Sequence, residues 1–507
     1  MTLWEQLSRG VIARRDIVLS CVVLAAAASI YVAPFEWRSE IRDPLSVDAI
    51  PDLGDNQQVV VTEWPGRSPQ DVDDQVTYPL SAALMSVAGV DTVRGSSMFG
   101  LSTVYVIFED GTDFYWARSR VVERLASLTR GTLPPDVAPT LGPDATGVGQ
   151  VFWYTLEGRD PNGNTVGGFD LDELRSIQDW TVRFALQAVD GVSEVASVGG
   201  FVREYQVDVD PDALRAREVD LDDVVRAVRQ SNLQVGARTL EINQVEYVVR
   251  GLGLVESVAE LEDSVVALKD GVPVRVRDIA RVALGPALRR GALDDGGAPA
   301  VGGVVVARVG ANPREVIRGV RRKIEEISPG LPSRTLDGGV VSEVRIVPFY
   351  DRTELIDETL ETLSDALVQQ VLVTIVIVFF ALRKLSSSVV VALMPPLGVG
   401  LTFVSMKLTG VEVNIMALGG IAIAIGTMVD VGVIFVDNIQ QQLELKPSAP
   451  VATSVLTAAT EIAPAVATSV MTTVLSFLPV FALTDSDVRL FGPLAATKTL
   501  AMLCALF

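Results

Sequence analysis

Two carboxylates in an otherwise apolar run raise the question of chemistry. Asp430 and Asp437 lie in Asn414-Ile-Met-Ala-Leu-Gly-Gly-Ile-Ala-Ile-Ala-Ile-Gly-Thr-Met-Val-Asp-Val-Gly-Val-Ile-Phe-Val-Asp437. An aspartate at the centre of a membrane helix costs about 2.5–3.5 kcal/mol to insert, so such residues are rare and concentrate on ion and proton pathways. Asp430 therefore reads as the proton-relay group of a proton-coupled transporter. The alternative is a neutral side chain bonded to the backbone of a neighbouring helix. At about 100° per residue, Met416, Ile423, Asp430 and Asp437 share one helix face, drifting by about 20° per step. The two carboxylates are about 10.5 Å apart along the axis, too far to share one proton. Asp437 is thus either a second relay station or an interfacial residue. A membrane aspartyl protease would need two facing carboxylates, and no other apolar segment offers a central acid.

Soft ligands form the second group. Of nine methionines, Met394, Met406, Met416, Met428, Met471 and Met502 fall in apolar segments, and thioether sulfur favours ions such as Cu(I) or Ag(I). Packing is the ordinary role of helical methionine, however, and Met428 points away from the Asp430 face. Histidine is absent and only Cys21 and Cys504 supply thiols, so there is neither imidazole chemistry nor a disulfide framework.

The elements that must position these groups are membrane helices. The chain has 507 residues, 49% of them hydrophobic and 21% charged, which suits a membrane protein with a large soluble part. Apolar windows of spanning length occur near Asp16–Pro34, Ala366–Leu382, Ser388–Met406, Asn414–Val436 and Ala463–Leu483, and a sixth begins near Phe491. That sixth window reaches Phe507 without a polar flank, which reads as a truncation or one piece of a split protein. Arg9, Arg14 and Arg15 before the first window, and Arg383 and Lys384 after the second, put the N-terminus in the cytoplasm and the intervening domain outside. If the first window is instead a signal peptide, the domain is still exported. The domain carries most of the 63 acidic residues of a chain with net charge −21, which disfavours nucleic acid as a partner. Small residues Gly419, Gly420, Ala422, Ala424 and Gly426 let another helix approach the Asp430 segment. Pro395 and Pro396 free backbone groups in the preceding one.

Between the first two windows β and α patterns alternate. Strand Gln57–Trp64, helix Ser68–Val87, strands Thr92–Met98 and Leu101–Glu109, helix Asp113–Thr129 and strand Val151–Glu157 follow the order of a split β-α-β unit. A similar round follows, with helix Leu171–Val189, strands Ser193–Val198 and Glu204–Val209 and helix Leu221–Gln230. Then come a hairpin at Gln234–Arg250, strand Val301–Val309, helix Pro313–Ile327 and strand Val344–Tyr350. The expected fold class is an α+β polytopic membrane protein, a bundle of about six spans with a large inserted domain of ferredoxin-like subdomains.

Several strings resemble the heavy-metal efflux branch of the resistance-nodulation-division transporters. They are Asp91-Thr-Val-Arg-Gly95, Val106-Ile-Phe-Glu-Asp-Gly-Thr-Asp113, Tyr115-Trp-Ala-Arg-Ser-Arg120, Gly142-Pro-Asp-Ala-Thr-Gly-Val-Gly149 and Leu490-Phe-Gly-Pro-Leu494, together with the Asp430 segment. The resemblance implies the N-terminal half of a trimeric proton antiporter of the bacterial inner membrane. Its implied partners are the C-terminal half, a periplasmic adaptor and an outer-membrane channel. The pump would be a secondary transporter rather than an enzyme, with no cofactor, a metal ion as cargo and protons as coupling ion. By resemblance, residues 1–35 hold the cytoplasmic N-terminus and first span, 36–190 porter subdomains, 191–284 a docking-type subdomain, 285–350 the rest of the second porter subdomain, and 351–507 spans two to six.

Gly426-Thr-Met-Val-Asp430 is similar to the copper/silver subgroup, whose relay aspartate corresponds to Asp430. The zinc/cobalt/cadmium subgroup carries an acid where this chain has Ala424. Met416, Met428 and Met502 match positions of a methionine ladder for transient metal contact, and Arg94 matches a charged residue at the periplasmic cleft. Leu288 departs from the pattern, standing where copper/silver members carry methionine. The other functions considered are a drug exporter of the same superfamily, a receptor-like protein and an inactive fragment.

Overall fold

The computed structural model describes residues 3–35, 44–129, 131–135, 137–233, 235–242, 245–251, 253–269, 271–289, 291–382, 385–483 and 485–506. Arg383 and Lys384, half of the charge argument for topology, lie outside the described residues.

Six helices are long and apolar enough to cross a membrane. We call them span one (Arg15–Val32), two (Arg352–Leu382), three (Leu385–Thr409), four (Ile415–Leu445), five (Val451–Phe477) and six (Asp485–Leu506). Span three runs unbroken through Pro395 and Pro396. Spans five and six begin earlier than their apolar windows, because the less apolar stretches Val451–Ile462 and Asp485–Leu490 continue the same helices. Span four is the hub: spans two, three, five and six all pack on it. The core between them holds Val399, Phe403, Met406, Ile421, Val470 and Met502.

Three units lie between spans one and two. The first is a four-stranded sheet built from β1 (Gln57–Glu63), β2 (Val90–Met98), β3 (Leu101–Phe108) and β4 (Thr140–Leu141), in the order β2-β3-β1-β4. Alternation along β1 buries Gln58, Val60 and Thr62 on the face that meets Val72, Leu80, Leu84 and Val121 of the covering helices. The sequence pattern closes this unit with Val151–Glu157. The structure corrects that: the strand, β5 (Gln150–Arg159), lies in the second sheet, where it pairs with Ala298–Ala307 and Val341–Asp351. The two-residue β4 closes the first sheet instead, through Val60 and Leu141.

In the second sheet, β6 (Val192–Gly199) pairs with Ala298–Ala307, so the expected 191–284 division takes in a strand that belongs to the neighbouring unit. The third unit contains the pair Arg203–Val209 with Ala280–Pro286, and the hairpin Val235–Ile242 with Val245–Gly251 appears where the alternation predicted one. Asp144, in the connection between the first two units, accepts the Ser193 hydroxyl and pairs with Arg308, which ties the second sheet to that connection.

The helices covering the two large sheets share a device. Each breaks into a π-turn at mid-length, Asp73–Thr77 in one and Gln178–Val182 in the other. Beneath each turn a buried polar side chain is satisfied from the sheet. Thr77 donates to the Ser102 hydroxyl at 2.8 Å, and Gln178 accepts from the Tyr154 hydroxyl at 3.0 Å.

Candidate functional site

Span four begins at Asn414, whose side-chain oxygen caps the helix by accepting from the Ala417 N–H at 2.9 Å. The 31 residues that follow contain no proline and extend about 46 Å, enough to cross the bilayer and project beyond it. Its two sides differ. On one, Ala417, Leu418, Gly420, Ile421, Ala424, Ile425, Met428, Val431 and Gly432 are buried. On the other, Ile423, Gly426, Asp430, Ile434 and Asp437 are exposed.

Glycine makes the closed side possible. A Cβ on Gly420 would stand 2.3 Å from Thr497 Oγ1 and 2.5 Å from the Leu494 carbonyl of span six. One on Gly432 would stand 2.6 Å from Met394 Sδ of span three. The Thr497 hydroxyl donates to the Ala417 carbonyl at 2.8 Å, which fixes span six on span four. Gly419 and Gly426, on the open side, have nothing within 4 Å of the equivalent point. Beside the outer end of this open strip lies a cavity of about 610 Å³, lined by Pro51, Leu355, Thr359, Ile415, Gly419 and Ala422.

The residues expected to act therefore fall into three places. Asp430 and Asp437 share the open strip, and Met416 is half-buried at its outer end. Met428 and Met502 are each 1% exposed in the closed core. Met428 sits against span three, where a Cβ on Gly398 would meet its Sδ at 2.9 Å. Arg94 is exposed on β2, an outer strand of the first sheet, which packs against β3 and the Pro69–Leu84 helix. The structure thus brings Asp430 and Asp437 onto one accessible face and places the two buried methionines elsewhere. Among the described residues, no three of Asp, Glu, Cys and His are grouped to hold a metal ion.

Sequence reasoning passed over Lys498. It lies inside span six, 9% exposed, with its ammonium 3.9 Å from the centre of the Phe477 ring. A lysine in the apolar run after Leu490 was visible, but its aromatic partner 21 residues away was not. At the junction of span two with the second sheet, Arg352 is 1% exposed and its Nε lies 2.7 Å from Asp48. Burial pushes the Asp48 carboxyl above its usual range, against the pull of Arg352. Asp48 in turn donates its N–H to the Val413 carbonyl, beside the cap of span four.

Comparison with known proteins adds the following. The sequence pattern of the AcrB/AcrD/AcrF family matches residues 42–507. The chain is 42% identical to the cation efflux system protein CusA of Escherichia coli strain K12, over 97% of the chain and 46% of that protein. It is 34% identical to the cobalt-zinc-cadmium resistance protein CzcA of Cupriavidus metallidurans, over 91% of the chain and 43% of that protein. A crystal structure of a heavy metal efflux pump superposes with a TM-score of 0.82 at 28% identity, covering 99% of the chain and 47% of the pump. The chain spans less than half the length of the proteins it matches.

Proposed function

The chain belongs to the AcrB/AcrD/AcrF family, and from that premise we propose that it supplies the N-terminal half of a proton-driven pump exporting a soft heavy-metal cation, Cu(I) or Ag(I). The observation that carries this reading is the position of Asp430. It lies mid-way along a membrane-length helix, on a strip that none of the described spans of this chain closes. A carboxylate against lipid is costly, so the strip is a surface for further helices, and the second half of the pump supplies them.

Enclosed by those helices, Asp430 takes a proton from the outer side and releases it inward. Its charge changes what the neighbouring helices can approach, and the domain between spans one and two opens and closes in response. Asp437, about two turns further along the same strip, passes the proton toward the cytoplasm. The domain lies in the periplasm, where it works with a trimer of copies, an adaptor and an outer-membrane channel. Arg94 lines the cleft of that domain.

Ala424 in place of an acid, together with 42% identity to CusA against 34% to CzcA, favours a monovalent soft ion over zinc, cobalt or cadmium. Met416 flanks the open strip and is the methionine of the three that a passing ion reaches first. Met428 and Met502 meet it only if the helices part.

Co-expression with the second half in metal-sensitive cells tests this. Native chain should confer copper and silver tolerance, and Asp430→Asn should abolish it at equal membrane level. Tolerance retained by Asp430→Asn would refute proton coupling through this residue.

A further inference from the structure

Two strings singled out in the sequence, 379 residues apart, meet at the outer end of span six. Arg489, just before Leu490-Phe-Gly-Pro-Leu494, donates through Nη2 to Asp110 Oδ1 and through Nη1 to the Gly54 carbonyl. Asp110 lies in the turn that ends β3, and Gly54 lies just ahead of β1. These two strands are the central pair of the first sheet. Their ends at Arg489 are tied together: the Phe108 N–H donates to the Asn56 carbonyl at 2.9 Å, and Asn56 Nδ2 donates to the Thr112 carbonyl at 2.7 Å. One guanidinium therefore grips both central strands of the unit from the membrane side.

The second sheet is attached differently. Its strand Val341–Asp351 passes straight into span two at Arg352, so any movement of that helix reaches the sheet through the chain itself. For the first sheet, among the described residues, Arg489 is the direct polar link to span six. The ion pair adds little stability, because the two side chains are 24% and 45% exposed and solvent screens such pairs. Direction is what it can supply: a forked donor holding two acceptors fixes the angle between span six and the strands.

We propose that Arg489 is a positioning residue that couples span six to the first sheet unit, so that movements originating at Asp430 reach β1 and β3. The path is contiguous. Asp430 lies on span four, span four is locked to span six at Ala417–Thr497 and Gly420–Leu494, and span six carries Arg489 near its first turn. The inference rests on the proton-driven transport proposed above.

The test uses the complete pump, both halves together, in proteoliposomes with an imposed pH gradient and Ag(I) as cargo. Arg489→Ala should lower metal transport at least tenfold while Ag(I) affinity stays native and proton flux persists, an uncoupled state that a merely structural defect does not produce. Arg489→Lys should recover part of the rate. The exchange Arg489→Asp with Asp110→Arg should exceed either single change at least threefold, and this comparison carries the test if Arg489→Ala fails to accumulate. Native transport by Arg489→Ala, or an exchange no better than its single variants, overturns the coupling role. Asp430→Asn in the same assay separates the two levels. Loss in Asp430→Asn with native rate in Arg489→Ala overturns only this inference, and native rates in both overturn proton coupling through Asp430 as well.

Discussion

The two sides of span four are built from the same few residue types and do opposite things. On the closed side, Gly420 and Gly432 are glycines because Thr497, the Leu494 carbonyl and Met394 occupy the space a side chain would need. On the open side, Gly419 and Gly426 meet nothing, and the same strip carries Asp430 and Asp437. A glycine in open space on a helix costs about 1 kcal/mol relative to alanine, with no packing among the described residues to offset it. The closed side is explained by packing already present, and on the proposed reading the open side awaits the second half of the pump.

Breaking that contrast gives the largest expected effect. Asp430→Asn should reduce transport by the assembled pump at least a hundredfold, while Met428→Leu, which nearly conserves volume on the closed side, should leave transport within threefold and cost less than about 1.5 kcal/mol of stability. Paired transport rates and thermal unfolding of both variants check this. If Met428→Leu proves as damaging as Asp430→Asn, the closed side also lies on the cargo path.

The glycines sharpen the comparison. Gly420→Leu should force spans four and six apart, at about 1–3 kcal/mol or more, and reduce the amount of this half expressed on its own. Gly426→Leu should leave this half unaffected alone but weaken its association with the second half, read by co-purification. Equal behaviour of the two variants would remove the distinction between the sides.

Asp437→Asn should lower transport less than Asp430→Asn does, by up to about tenfold, and a native rate would make Asp437 interfacial rather than a relay station.

The smallest effect concerns Asp48, at the base of the second sheet. Its carboxyl is raised by burial, so the folded state holds its proton more tightly than the unfolded chain. That contribution is full below the ordinary value of 3.8 and is lost as pH rises through the raised one. Across this window the native protein should lose slightly more stability than Asp48→Asn, as unfolding followed at successive pH values would show.

Much of this architecture was legible in the sequence because it is local. Long apolar runs announced the spans, and alternation in Gln57–Glu63 or Leu101–Phe108 announced strands. The helix Pro313–Ile327 has the bounds its pattern predicted, since Asn312 caps it and Pro313 suits a first turn. What could not be read was partnership at long range. Val151–Glu157 is plainly a strand, but that it pairs with residues near 301 and 346 rather than 60 depends on tertiary packing, and the true closing strand is only two residues long. Of the site, the helix face of Asp430 and the divergence of Met428 from it followed from helix geometry, whereas the burial of Met428 did not. The near-complete burial of Met502, the Lys498–Phe477 contact and the grip of Arg489 on Asp110 required knowing which helices touch.

The most direct test of the central claim is to measure proton counterflow driven by metal in proteoliposomes that contain both halves. With native chain, an inward or outward Ag(I) gradient should move protons in the opposite direction. With Asp430→Asn, metal should still bind with native affinity but drive no proton movement. Proton counterflow at the native rate in Asp430→Asn would contradict the account.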